Sequence, residues 1–75
     1  MFLIFTRPDC IWCEKAKNLL KEHGLDFKEV PHLTQEERDK FKAKGFKTFP
    51  QIYKGDHLIG GYDALTAYLE EEDDF

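Results

Sequence analysis

Two thiols, Cys10 and Cys13, are the only cysteines in the 75-residue chain, and they stand three positions apart in Cys10-Ile11-Trp12-Cys13. That spacing supports three kinds of chemistry: thiol–disulfide exchange, half of a tetrahedral metal site, or a structural staple. A structural zinc site needs two further soft or imidazole ligands. His23, His32 and His57 are dispersed with no pairing interval, so each reads as a surface or turn residue and no metal is expected. A staple across so short a loop restricts the unfolded chain very little. It is also opposed by a reducing cytosol, the compartment expected here.

Position favours exchange. Phe2-Leu3-Ile4-Phe5 is a continuous apolar run closed by Arg7-Pro8, the pattern of a central strand buried on both faces. From Ile11 to about His23, Trp12, Ala16, Leu19 and Leu20 fall at helical spacing, and Gly24 is suited to ending that helix. Cys10 therefore sits between a strand and the first turn of a helix. Unpaired N–H groups and the positive end of the helix dipole favour a thiolate there, and the thiolate is the nucleophile. Cys13, one turn further on, is close enough to form a disulfide but lies deeper. These places assign the roles: Cys10 attacks, and Cys13 resolves the mixed disulfide.

The remaining elements follow from pattern. Asp26-Phe27-Lys28-Glu29-Val30 alternates weakly as a second strand, so strand, helix and strand form a right-handed unit with parallel strands. Thr34-Gln35-Glu36-Glu37 is a capping box opening a charged helix that runs to about Lys44, with Phe41 as its chief anchor. Pro50–Lys54 and His57–Ile59 flank Gly55-Asp56 as a hairpin, and Gly60-Gly61 breaks the strand. Asp63 is expected to start a last helix that turns Leu65, Tyr68 and Leu69 to one side. The order is β-α-β-α-β-β-α: an α/β fold with a four-stranded mixed sheet, three flanking helices and one domain over residues 1–75.

Composition agrees. Apolar residues make up 41% of the chain and include seven Phe, enough for a small aromatic-rich core. The net charge of −4 is a property of the acidic end: Glu70–Glu72, Asp73 and Asp74 hold five of the fifteen acids, and the rest is near neutral. Residues 70–75 read as a frayed, solvated helix end. There is no nucleic-acid footprint and no apolar run long enough to cross a membrane, and the opening residues are expected to be a buried strand and not a leader. A cytoplasmic monomer is expected.

Three separated motifs make the whole chain resemble a glutaredoxin, a small member of the thioredoxin-fold superfamily. The first is Arg7-Pro8-Asp9-Cys10-Ile11-Trp12-Cys13, similar to the family's Cys-Pro-Tyr-Cys with a basic residue three positions upstream. The second is Thr48-Phe49-Pro50, which looks like Thr-Val-Pro, whose proline is cis and faces the cysteines. The third is Gly60-Gly61-Tyr62-Asp63, which resembles Gly-Gly-x-Asp. Ile11 and Trp12 depart from the family's usual proline and tyrosine.

The resemblance implies a thioredoxin-like fold and a glutathione-dependent thiol–disulfide oxidoreductase with Cys10 and Cys13 as its catalytic pair. Glutathione is the implied reductant and partner. Phe49 would pair through its backbone with the cysteinyl unit, supported by Thr48 and Pro50. Gly61, Tyr62 and Asp63 would meet the γ-glutamyl carboxylate and ammonium. Arg7 and Lys47 would meet the glycine carboxylate, although both also read as solvated charges. Trp12 would stay partly exposed beside the sulfur site. Disulfide-containing and glutathionylated proteins are the implied substrates, ribonucleotide reductase among them. Two alternatives remain: a redoxin reduced directly by a thioredoxin-reductase-type flavoenzyme, and an iron–sulfur-binding dimer.

Overall fold

The computed structural model describes residues 1–72. Its elements are β1 (Phe2–Thr6), α1 (Ile11–Glu22), β2 (Phe27–Pro31), α2 (Gln35–Ala43), β3 (Gln51–Lys54), β4 (His57–Gly60) and α3 (Tyr62–Glu72). They form one four-stranded sheet in the order β2-β1-β3-β4, in which β1 runs parallel to β2 and antiparallel to β3. This is the mixed sheet with three helices expected from the sequence. Part of the acidic end, residues 73–75, lies outside the described residues, and α3 continues through Glu70 to Glu72.

The alternation of β1 divides the molecule. Phe2, Ile4 and Thr6 are buried on one side, where Ile4 joins Ala16 and Leu20 of α1, Ile52 of β3 and Leu65 of α3 in a fully buried aliphatic core. Each of these larger side chains contributes about 1.5–3 kcal/mol by leaving water. Leu3 and Phe5 point the other way and are only half-buried, so β1 is not closed equally on both faces. The reason lies in α2, a nine-residue helix whose only buried residue is Phe41. Phe41 stacks on Phe46 and Phe49 at ring distances of 4.6 and 4.7 Å. Beneath it a cavity of about 380 Å³ opens among Leu3, Phe5, Phe46 and Tyr53.

Local chemistry explains the boundaries. In α2 the Thr34 hydroxyl accepts from Glu37 N–H while the Glu37 carboxylate accepts from Thr34 N–H, a complete capping box. α1 stops at Glu22, one residue before the expected end, with Gly24 in the left-handed conformation at φ 67°. β2 runs one residue past its expected end to Pro31, which an edge strand tolerates. Gly60 completes β4 rather than breaking it. Its φ of 124° lets α3 approach so closely that an added Cβ would lie 3.0 Å from that of Ala64.

Candidate functional site

Cys10 is the N-cap of α1, reached through a turn in which Asp9 takes the left-handed conformation at φ 56°. Aspartate is among the few side-chain-bearing residues that enter this region readily. The Cys10 sulfur accepts a hydrogen bond from the Cys13 backbone N–H at 3.1 Å. One of the unpaired amides expected at the helix start thus points at the Cys10 sulfur. Cys10 and Cys13 are joined as a disulfide with Cα atoms 5.2 Å apart. Cys13 is the deeper of the two, 1% exposed against 6% for Cys10, on the side of α1 that also buries Ala16 and Leu20.

Phe49-Pro50 faces this pair. The Phe49–Pro50 peptide bond is cis, and the Phe49 carbonyl oxygen lies 3.9 Å from the Cys10 sulfur. Gln51, at the start of β3, donates to the carbonyl and hydroxyl oxygens of Thr48 and so holds this loop to the sheet. The backbone N–H of Phe49 donates no hydrogen bond among the described residues, which leaves an edge for an extended ligand.

A groove runs along both sides of this loop. On one side a cavity of about 460 Å³ is bounded by Trp12, Phe49, Pro50, Gly61, Tyr62 and Asp63. On the other a cavity of about 500 Å³ is bounded by Arg7, Arg38, Lys42 and Lys47, with Trp12, Thr48 and Phe49 shared between the two. Trp12 is 51% exposed and packs on Tyr62 with ring centres 5.6 Å apart. Lys15 lies 4.5 Å over its ring. All of the non-cysteine residues expected at the site therefore border one groove.

One local expectation changes. Asp63 does not start α3: the helix begins at Tyr62, and the Leu65 N–H donates to the Gly61 carbonyl. Asp63 stands in the first turn, and its carboxylate accepts no hydrogen bond among the described residues. The chain enters the helix one residue earlier than expected, so the acid stands in the first turn and borders the groove.

A short charged network supports the pair from behind. The buried Thr6 hydroxyl donates to Glu29 at 2.7 Å, and Lys17 bridges Glu29 at 3.3 Å and Glu14 at 2.9 Å. The Thr6 hydroxyl, then Lys17, hold the Glu29 carboxyl below its ordinary value. The hydrogen bond to Glu14, then Glu29, raises Lys17 against the effect of burial. This network ties α1, one turn beyond Cys13, to the strand that leads into Cys10.

Comparison with known proteins decides the family: residues 2–59 match the glutaredoxin family model. The chain belongs to the glutaredoxin family. It is 43% identical over 67 residues to glutaredoxin 1 of Rickettsia conorii, covering 84% of this chain and 66% of that protein, just under two thirds of the relative's length. The crystal structure of glutaredoxin 1 from Francisella tularensis complexed with cacodylate has a TM-score of 0.87 at 28% identity, with 99% of this chain and 96% of that one covered. The NrdH-redoxin of Escherichia coli, described as a glutaredoxin-like protein with a thioredoxin-like activity profile, has a TM-score of 0.68 at 27% identity, covering 88% and 91%.

Within this glutaredoxin-family groove, sequence reasoning missed Gln35, Arg38 and Lys42 of α2. Their spacing of three and four residues puts them on one stripe of the helix, a signal present in the sequence. It was hidden among eight other charged or polar residues between Lys28 and Lys47, and only the tertiary path of α2 brings that stripe to Arg7 and Lys47.

Proposed function

We propose that this protein is a glutathione-dependent thiol–disulfide oxidoreductase. The observation that carries the proposal is the polarity of the groove beside the Cys10–Cys13 disulfide. Glutathione has an ammonium and a carboxylate at its γ-glutamyl end, a thiol in the middle and a second carboxylate on its glycine. In the groove, Asp63 and the first turn of α3 stand at one end, the free backbone edge of Phe49 in the middle, and Arg7 and Lys47 at the other. With its sulfur at Cys10, glutathione meets a complementary group at each point.

The chemistry then balances in four exchanges. The Cys10 thiolate attacks a substrate disulfide and releases one substrate thiol. Cys13 attacks the Cys10 sulfur of the mixed disulfide and releases the second, leaving Cys10–Cys13 oxidised. One glutathione attacks Cys10 and frees Cys13. A second attacks the bound glutathione sulfur, leaving as glutathione disulfide and restoring the Cys10 thiolate. Glutathionylated proteins need Cys10 alone. Disulfide-forming reductases such as ribonucleotide reductase are suitable substrates, and the cytoplasm, where glutathione is kept reduced, is the suitable compartment.

The likeness to the NrdH-redoxin, with its thioredoxin-like activity profile, favours one competing reading: reduction by a thioredoxin-reductase-type flavoenzyme. Steady-state reduction of a neutral disulfide, driven in parallel by glutathione with glutathione reductase and by that flavoenzyme, separates the two. Turnover with glutathione is the expected result; turnover with the flavoenzyme alone replaces the proposal.

A further inference from the structure

In the proposed function a single glycine carboxylate occupies Arg7 and Lys47, yet the same end of the groove holds two more cations, Arg38 and Lys42, and among the described residues no Asp or Glu borders it. The acids of α2 are each engaged along their own helix. Glu36 pairs with Lys40 at 3.4 Å, Glu37 closes the capping box with Thr34, and Asp39 accepts from Gln35 at 2.7 Å. Arg38 donates to the carbonyl oxygens of His32 and Leu33 and to Gln35 Oε1. These are neutral acceptors, which orient the guanidinium without cancelling its charge. Arg7 likewise donates to the Pro8 carbonyl, and Lys42 and Lys47 pair with no acid among the described residues. A chain of net charge −4 thus keeps one mouth of its groove uncompensated and positive, while the opposite mouth carries Asp63.

We infer that protein substrates are selected by acidic residues on the C-terminal side of the reacting cysteine. The inference deepens the glutathione reading, from which it takes the chain direction: glutathione runs from the Asp63 end to the Lys47 end. A protein segment pairing with the same Phe49 edge runs the same way. In an extended segment each residue advances about 3.3 Å. The two or three side chains after the cysteine therefore reach Arg38 and Lys42, and those before it approach Asp63. Charges of one sign at a groove mouth raise the capture rate of the opposite sign and reject their own.

The test uses the pre-reduced full chain and three symmetrical peptide disulfides, with Glu-Glu after the cysteine, Glu-Glu before it, or Gln-Gln after it. In each, Cys10 attacks one peptide sulfur and Cys13 displaces the other. One peptide disulfide becomes two thiols as the protein dithiol becomes a disulfide. Fluorescence of Trp12, the only tryptophan, follows the second-order rate with no glutathione present. A protein that proves not to use glutathione therefore still gives an answer, and equal peptide rates leave glutathione turnover untouched.

The peptide with glutamates after the cysteine is expected to react about tenfold faster than its glutamine counterpart at low salt, the ratio falling as salt is added. The peptide with glutamates before the cysteine gains nothing. Lys42→Gln shrinks the ratio about threefold, whereas Lys28→Gln, the same charge change on the exposed edge strand, leaves it in place. Equal rates for the three peptides, equal acceleration from either side, or a ratio insensitive to Lys42→Gln overturns the inference.

Discussion

Cys10 and Cys13 have the same side chain and Cα atoms 5.2 Å apart, yet they belong to different regions of the molecule. Cys13 lies on the buried side of α1, one and two turns from Ala16 and Leu20. Cys10 lies outside that helix, between the Cys13 amide and the Phe49 carbonyl, beside loops and half-buried aromatic rings. The difference is between a sulfur fixed on the packed side of the helix and a sulfur, also buried, held where the helix start meets the Phe49 loop. One helix start creates both environments, because the N-cap residue leaves the helix axis while the third helical residue turns toward the sheet. The proposed unequal roles of two equal thiols rest on that turn of backbone.

The largest effect should come from exchanging each sulfur for oxygen. Cys10→Ser is expected to abolish all turnover. Cys13→Ser should keep glutathionyl transfer from small mixed disulfides and lose reduction of protein disulfides. Equal loss in the two variants, measured on both substrate types, breaks the comparison.

On the core side, Leu20→Ala empties space in the layer beneath Cys13 and should cost about 2–5 kcal/mol in denaturant unfolding. Phe46→Ala, on the half-buried aromatic side that adjoins the cavity of about 380 Å³, should cost less. Reversal of that order would show that the aromatic layer, not the aliphatic one, fixes the sheet.

On the groove side, Asp63→Asn removes one charge from the ammonium end of the proposed glutathione site. A partly exposed pair of this kind contributes up to about 1 kcal/mol, so the expected change is a rise in KM for glutathione of about fivefold with kcat little altered. An unchanged KM would remove Asp63 from the site.

The smallest effect concerns the network behind the pair. Because Glu29 is held below its ordinary value in the folded protein, its contribution to stability is complete above the unfolded value and is lost as pH falls through the folded one. Unfolding of the parent chain should therefore weaken more steeply than that of Glu29→Gln from pH 4.5 downward. The raised Lys17 acts in the opposite direction, its contribution being complete at neutral pH and lost only above 10.5. Parallel acid profiles for parent and variant would show that the network adds nothing to folding.

What the sequence made legible was local. Helical spacing from Trp12 to Leu20, the Thr34–Glu37 box and the Gly55-Asp56 turn each carry their own signal within a few residues, and all three elements form where expected. The placement of Cys10 at a strand–helix junction was legible for the same reason. The features that escaped depend on contacts between distant segments. Arg38 and Lys42 reach the groove only because Phe41, close to both on α2, stacks on Phe46 and Phe49 and fixes the helix there. The half-burial of Leu3 and Phe5 depends on how little surface α2 covers, which an apolar run in β1 does not record. The start of α3 at Tyr62 rather than Asp63 is a one-residue boundary that the Gly60-Gly61-Tyr62-Asp63 pattern does not encode.

The central claim, that the backbone at the start of α1 makes Cys10 the nucleophile, is tested most directly by titrating the Cys10 thiol in the reduced protein, with thiolate absorbance or alkylation rate followed against pH in the Cys13→Ser variant. The account predicts a pKa well below that of free cysteine, about 8.5. A Cys10 that titrates with free cysteine would contradict it.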